Sequence, residues 1–248
     1  MVKEERQSWI LDKIKKDKRV TLVALSQLLN VSYDSIRRDV IELEERGLLR
    51  KIHGAAIENS YLPMKVRQEL GIPNEEIVSL VKKSIQLISS GQMILMDGGS
   101  TNLYIAEHLP HHLEVTIVTN NPPLAMSLAK HPNAEVILLG GKYLKRYQIT
   151  TGHETLEQIK YLKADLYFMG VVGAHPTEGF TLRDYEEATQ KRRMIASARQ
   201  VVVCATNEKL NTSVAHRICG VEDVSLLVTS GEPDDPSLAE WQGKIDIV

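Results

Sequence analysis

Residues 20–56 read VTLVALSQLLNVSYDSIRRDVIELEERGLLRKIHGAA, and two helical periods stand in them on either side of a short break. In the first, Leu22, Leu25, Leu28 and Leu29 form an apolar stripe, and Thr21 stands where a cap accepts from the N–H groups of the first turn. Asn30-Val31-Ser32 interrupts that period. Ser32 is placed to cap a second one, in which Ile36, Val40 and Leu43 recur at i, i+4 and i+7 and Gly47 marks the end. Two short helices joined by so tight a turn make a helix-turn-helix. On the second helix, at about 100° per residue, Arg38 falls roughly 200° and Asp34 roughly 160° from the apolar stripe, so both face outward. Tyr33, Ser35 and Arg37 flank that face near the helix N-terminus. Downstream, Leu48-Leu49 leads into Arg50-Lys51-Ile52-His53-Gly54, a basic strand and turn with the pattern of a β-wing. Upstream, Trp9, Ile10 and Ile14 share one side of an amphipathic helix over residues 3–17.

The N-terminal end of such a second helix is what a recognition helix presents to base edges in the major groove. The expected DNA contacts are therefore Ser32, Tyr33, Asp34, Ser35, Arg37 and Arg38 on the helix, with Arg50, Lys51 and His53 of the wing along the phosphate backbone. The alternative is a solvated face on which Arg37 and Arg38 pair with Asp34, Asp39 or Glu42. Net charge does not choose between them: residues 1–58 carry 12 basic and 10 acidic side chains, and the whole chain 30 and 32. Placement does, because the arginine pair sits outward on the second helix of the motif and a basic turn follows it. Glu42, Glu44 and Glu45, at the other end of that helix, are expected to face away from a duplex.

The chain has 248 residues, 43% of them hydrophobic and 25% charged, which suits one or two globular domains and excludes a disordered or collagen-like chain. No window approaches the roughly 18–20 apolar residues of a membrane span. The opening MVKEERQSWILDK lacks the form of an export signal, so the expected location is the cytoplasm and no membrane partner is expected. Cys204 and Cys219 are too few for a disulfide framework and read as two buried thiols. An aromatic content of 5% argues against stacking platforms for single-stranded nucleic acid. His111-His112 lacks partners at ligand spacing, and neither a metal nor a cofactor is expected.

Composition changes after residue 58. ENSYLPMKVRQELGIPNE, residues 58–75, mixes polar residues with two prolines and a glycine, which suggests a linker at 59–75 between a DNA-binding domain at 1–58 and a second domain at 76–248. Residues 76–89 have helical spacing. Apolar runs then follow at Met93–Met96, Val115–Val118, Glu135–Leu139, Leu166–Val172, Val201–Cys204 and Ser225–Val228, mostly with helical stretches between them, among them NLYIAEHL and EEATQKRRMIASA. Short continuous apolar runs separated by helices imply strands buried on both faces of a mostly parallel sheet, hence an α/β domain.

In such a sheet, ligands bind beyond the carboxyl ends of the strands. Asp97-Gly98-Gly99-Ser100-Thr101 follows the first run and enters a helix: glycines allow close approach, hydroxyls donate, and a helix N-terminus favours an anion. This is neither a P-loop nor a dinucleotide fingerprint. Thr119-Asn120-Asn121, Gly140-Gly141, Gly170 and Thr206 to Lys209 lie at the other strand ends, and Lys191 on the helix before the fifth run. Polar or small residues at several strand ends make a pocket, in which Lys191 or Lys209 would neutralise a phosphate; either is otherwise an ordinary surface lysine.

The string from Val20 to Ala56, with its Ile-Arg-Arg-Asp segment, Gly-Leu-Leu-Arg run and His-Gly turn, closely resembles the DNA-binding region of DeoR-type bacterial transcriptional regulators. Asp97 to Thr101, Thr119-Asn120-Asn121, Gly140-Gly141, Phe168-Met169-Gly170, Gly179 and the segment from Glu187 to Met194 resemble their sensor domain. The resemblance implies a fold similar to ribose-5-phosphate isomerases and phosphorylated sugars as effectors. It also implies effector contacts at Asp97, Gly98, Gly99, Ser100, Thr101, Asn120, Gly141, Lys191 and Lys209. Three departures stand out. His53-Gly54-Ala55-Ala56 replaces a His-Gly-Gly-Ala wing, Ala205-Thr206-Asn207-Glu208-Lys209 replaces Ala-Asp-Ser-Ser-Lys, and Ile77 stands where a lysine is common.

The expected function is a DNA-binding regulator, a repressor of carbohydrate-metabolism genes acting as a dimer or tetramer on double-stranded operator DNA and controlled by a phosphorylated sugar. The rival is a sugar-phosphate isomerase or deaminase with an N-terminal appendage, using Asp97, Glu187 or Glu208 as a base. An isomerase has no use for a helix-turn-helix with an outward arginine pair, so no catalytic residue is expected. A purely architectural DNA-binding protein leaves the polar crevice unexplained.

Overall fold

A computed structural model describes residues 2–17, 19–46, 48–52, 54–58 and 75–248, apart from the side chains of residues 15, 45, 50, 52 and 58. The chain divides into two compact units, Met1–Ile72 and Pro73–Val248. His53 and, except for Glu75, the linker expected at 59–75 lie outside the described residues.

In the N-terminal unit α1 (Lys3–Asp17), α2 (Leu22–Leu29) and α3 (Tyr33–Glu45) accompany a small antiparallel sheet. Its strands are β1 (Arg19–Thr21), β2 (Leu49–Ile52) and β3 (Ala55–Glu58), in the order β1-β3-β2. Both expected caps form: Thr21 Oγ1 accepts from the Ala24 N–H at 3.1 Å and Ser32 Oγ from that of Ser35 at 3.2 Å. Asn30, left-handed at φ 52°, ends α2. Ile10, Ile14, Leu22, Leu25, Leu29, Ile36, Val40 and Leu43 make the core, with Trp9 at its edge. Leu28 departs from the expected stripe and is 57% exposed, because one helical step from Leu29 carries it off the face shared by Leu22 and Leu25. Among the described residues of the wing, Gly54 alone has a positive φ, of 74°; Ala55 is extended, paired with Ile52 and Thr21, and fully buried. Alanine at the departing position therefore fits the strand.

Polar ties fix α3 in this unit. Asp39, on its inner side, accepts from Arg6 Nε at 2.5 Å and Nη2 at 3.2 Å. Glu44 Oε1 accepts from the Lys51 N–H at 2.7 Å, which joins the end of α3 to the wing.

The second unit contains α4 (Glu75–Ile85), β4 (Met93–Met96), α5 (Ser100–Glu107), β5 (Val115–Thr119), α6 (Pro122–Ser127) and β6 (Ala134–Leu138). After these come β7 (Lys142–Leu144), β8 (Ile149–Thr151), α7 (His153–Lys160), β9 (Ala164–Met169), β10 (Gly173–His175) and β11 (Gly179–Leu182). The chain continues through α8 (Tyr185–Ala196), β12 (Ala198–Ala205), β13 (His216–Cys219), β14 (Leu226–Thr229) and β15 (Asp246–Ile247). Seven strands form one parallel sheet in the order β15-β14-β12-β9-β4-β5-β6, so the fold class is α/β as the apolar runs imply. A hairpin of β7 and β8 and a small antiparallel sheet of β10, β11 and β13 lie outside it. Cys204 and Cys219 are free and buried, and burial pushes their thiols up to about 11 and about 12. Among the described residues no helix is long and apolar enough to cross a membrane.

Some boundaries differ from the sequence reading. The fourth apolar run begins at Ala164 and ends at Met169, because Gly170 leaves the sheet. β6 is an edge strand with Ile137 and Leu138 exposed, not a strand buried on both faces. α4 stops at Ile85, and Leu87 and Ile88 follow in tighter i to i+3 turns.

The strand order sets the position of the crevice. From β4 the chain steps outward through β5 to β6, returns to place β9 on the other side of β4, and continues through β12 and β14. The winding reverses between β4 and β9, where loops leave the sheet in opposite directions and open a cleft. Asp97 and Gly170 stand at that point.

Replacing Asp39 by alanine removes the partner of Arg6 and is expected to cost the N-terminal unit about 2 kcal/mol. Hydrogen exchange on the full chain reads this as faster exchange of α1 and α3 amides with those of β4 and β12 unchanged; equal protection of α1 and α3 would show that the ion pair does not hold them.

Candidate functional site

The N-terminal unit presents one polar, cationic face. Tyr33, Asp34, Arg37 and Arg38 are exposed on α3 and Ser35 is half-buried. Neither arginine has an ion-pair partner among the described residues; Asp39, a possible partner on the solvated-face alternative, is buried against Arg6, and Glu42 pairs with Lys3 at 2.6 Å. The charge of the arginine pair is thus available to an external anion. Ser32 Oγ caps α3 and lies 2.9 Å from Ser35 Oγ. Lys51 follows on β2 with its side chain half-buried, and Arg50 precedes it in the strand. Glu44 faces the wing backbone.

In the second unit the turn from β4 to α5 rests on a buried polar network. Asp97, 1% exposed, accepts from the Gly170 N–H at 2.8 Å and Asn102 Nδ2 at 3.0 Å on Oδ1, and from the Tyr167 hydroxyl at 2.5 Å and Lys191 Nζ at 2.5 Å on Oδ2. Lys191, 2% exposed, also donates to the Gly170 carbonyl at 2.8 Å and lies 3.5 Å from Glu187 Oε1. Burial works against its ammonium, but the charges of Asp97 and Glu187 prevail and its pKa is raised. Burial and the adjacent Asp97 charge push the Tyr167 phenol well above its ordinary value, so it remains a donor.

Above that network the helix opens freely. Gly99 is the N-cap of α5 without a side-chain cap, and the first bond into the helix runs from the Leu103 N–H to the Gly99 carbonyl at 3.0 Å. The helix therefore leaves the N–H groups of Ser100, Thr101 and Asn102 unpaired, the arrangement that receives an anion. β8 closes over the turn: a Cβ at Gly98 would fall 2.5 Å from Ile149 Cγ2, so only glycine fits. Thr150 beside it binds Asn120 through the backbone at 2.7 Å, and its carbonyl accepts from Asn120 Nδ2 and Gln190 Nε2, each at 3.1 Å. Asn120 Oδ1, Gln190 Oε1 and Thr206 Oγ1 are buried without a hydrogen-bond partner among the described residues.

Comparison with known proteins agrees with this arrangement. Residues 6–61 match the DeoR-like helix-turn-helix domain and residues 75–231 the DeoR C terminal sensor domain. The chain belongs to the DeoR family. It is 31% identical over 237 residues to the HTH-type transcriptional repressor GlcR of Bacillus subtilis (strain 168), covering 94% of this chain and 91% of that protein. To the HTH-type transcriptional regulator GolR of Listeria innocua it is 30% identical, covering 92% and 91%. To the glycerol-3-phosphate regulon repressor of Escherichia coli (strain K12) it is 27% identical, covering 94% and 93%. Among solved structures, ribose 5-phosphate isomerase A from Neisseria gonorrhoeae is similar at TM-score 0.41 and 13% identity over 56% of this chain and 54% of that one, a likeness too slight to bear on function. As a DeoR-family member the chain is a DNA-binding transcriptional regulator and not an enzyme. All four acceptor positions of Asp97, one of the carboxylates the isomerase reading needs as a base, are filled.

The crevice of this DeoR-family regulator brings together Asp97, Gly98, Gly99, Ser100, Thr101, Asn120 and Lys191. Asp97 and Lys191 are committed to each other and to backbone groups, which makes them supports of the turn. Gly141 lies in the connection from β6 to β7, packed beside Thr155 and Thr151, and Lys209 in the turn after β12. Sequence reasoning did not single out Tyr167, Asn102 or Gln190. The sequence shows only that Glu187, Gln190, Lys191 and Met194 stand at i, i+3, i+4 and i+7; that this mostly polar stripe is buried appears in the structure alone. Ile77 and Thr206 are both buried, and neither side chain replaces the charge of the residue common at its position.

A carboxyl buried this way makes stability depend on pH. Burial raises Glu187 above 4.5; Lys191 opposes the rise and the charge of Asp97 adds to it. The folded state then binds the proton more tightly than the unfolded one, so stability is greatest below the unfolded value and falls as pH rises through the folded one. Glu187→Gln should flatten the fall in thermal midpoint between weakly acidic and neutral pH; an unchanged slope would remove Glu187 as its source.

Proposed function

We propose that this regulator is a repressor of carbohydrate-metabolism genes whose operator affinity is set by a phosphorylated sugar or related metabolite bound at the carboxyl ends of β4, β5 and β12. The observation that carries this reading is the α5 N-terminus, open at a topological switch point and walled by buried polar side chains. The phosphate takes the N–H groups of Ser100 and Thr101 at the Gly98-Gly99 turn, with Asn120 and Gly141 lining the remainder and Lys209 contributing charge. Asp97 and Lys191 hold the turn in place. The names of GlcR and of the glycerol-3-phosphate regulon repressor support repression, and the second names a regulon for a phosphorylated polyol.

On the DNA side, Tyr33, Asp34, Ser35, Arg37 and Arg38 meet the major groove, Ser32 orders the helix start, and Arg50, Lys51 and His53 follow the phosphates. A dimer or tetramer presents two or more α3 helices to symmetric half-sites. The effector binds the DNA-competent and incompetent arrangements unequally and shifts their populations. A coupling of about 1–3 kcal/mol changes operator affinity roughly 5- to 150-fold.

Mobility-shift titration against DNA upstream of the protein's own and neighbouring genes, with and without sugar phosphates, tests this. Arg38→Ala should weaken operator binding and lower the dependence of log affinity on log salt by about one; normal affinity would remove α3 from the interface. Ser100→Leu should abolish the response to sugar phosphate while operator binding persists, and a retained response would remove the α5 N-terminus from the effector site.

A further inference from the structure

Asn120 and Gln190 form a buried pair that the regulator's described structure leaves half used. Asn120 follows Thr119, which pairs in register with Met96, so it stands beside Asp97 at the switch point. Gln190 comes from α8, one residue before Lys191, and reaches the same place. Both are 2% exposed. Each amide directs its NH2 group at one acceptor, the Thr150 carbonyl, at 3.1 Å. That carbonyl has two lone pairs and no proton, so it fixes both amides with nitrogen inward: a flipped amide would set oxygen against oxygen. Each side-chain oxygen is left buried and without a donor among the described residues. A buried acceptor left unmatched loses its hydration without compensation, so a ligand that supplies the missing donor is favoured there.

The chemistry of that ligand group follows. An ionised phosphate oxygen only accepts and cannot satisfy two carbonyl oxygens, whereas a hydroxyl group donates. Resting on the effector reading above, we propose that Gln190 and Asn120 form the subsite for the hydroxyl groups of a polyol phosphate, with its phosphate at the α5 N-terminus. The two ends of the ligand are then recognised by opposite polarity, N–H donors at one end and amide oxygens at the other. Gln190 is the specificity residue this adds.

The test is binding to the full chain, by calorimetry or thermal shift, of inorganic phosphate, 1-propyl phosphate, glycerol 3-phosphate, fructose 1-phosphate, fructose 6-phosphate, glucose 6-phosphate and ribose 5-phosphate. The tightest sugar phosphate should bind wild type at least roughly 10-fold better than 1-propyl phosphate, which has no hydroxyl and should resemble inorganic phosphate. Gln190→Met keeps the volume and removes the acceptor. It should weaken that sugar phosphate roughly 10- to 100-fold and inorganic phosphate less than about twofold. A solely structural Gln190 would instead lower the ligand-free thermal midpoint and leave the ratio of the two affinities unchanged, which would overturn the proposal. So would equal binding of 1-propyl phosphate and sugar phosphate by wild type, a comparison that needs no variant to fold. In both cases the effector reading survives; wild type that binds no sugar phosphate overturns that reading and this inference together.

Discussion

A lysine ammonium and an aspartate carboxylate meet at 2.5 Å in the interior of the second unit, and the crevice is organised around them. Lys191 and Asp97 are 94 residues apart, yet their contact ties the end of β4 to α8 and, through the Gly170 N–H and carbonyl, to the end of β9. Desolvating two such charges is expensive, and the attraction between them offsets it only when the remaining donors and acceptors are also satisfied. Tyr167, Asn102 and the Gly170 backbone supply those partners. The result is a turn whose backbone is held from below, so the N–H groups at its top are fixed in direction before anything binds.

The N-terminal unit uses the same device at smaller scale. Arg6 and Asp39 join α1 to the inner side of α3, while the outer side keeps Arg37 and Arg38 free of ion pairs among the described residues. One acidic residue is used for architecture and two basic ones are left to solvent. The Ile-Arg-Arg-Asp segment therefore divides its charges by helix face: about 100° separates each residue from the next, enough to send Arg38 outward and Asp39 inward.

What the sequence made legible was whatever depends on local spacing. The helices of the N-terminal unit, the caps at Thr21 and Ser32, six strands of the parallel sheet and the polar turn after β4 all follow from period, burial and turn chemistry. Leu28 was misplaced because an apolar residue at the edge of a stripe carries no mark of which side it takes. β6 was misread because an edge strand and a central strand share the same apolar run, and only pairing distinguishes them. The partner of Lys191 was out of reach for a deeper reason: a lysine has the same composition signature whether it meets a phosphate or a carboxylate distant in sequence. Gln190 was overlooked because one polar residue within a charged helix looks solvated until the helix face is known to be buried.

The strand order also has a consequence for the order in which the protein is made. The N-terminal unit closes its small sheet with β3, which ends at Glu58, so the pairing partners of its three described strands exist once that strand has been synthesised. The central pairing of the second unit joins β4 to β9, and α8 and β12 must follow before the ion pair and the crevice can form. Such distant contacts close late, and domains fold as units from the N-terminus during synthesis. A nascent chain thus carries its helix-turn-helix and three-stranded sheet through the synthesis of β4 to β12 before the crevice of the sensor domain can close.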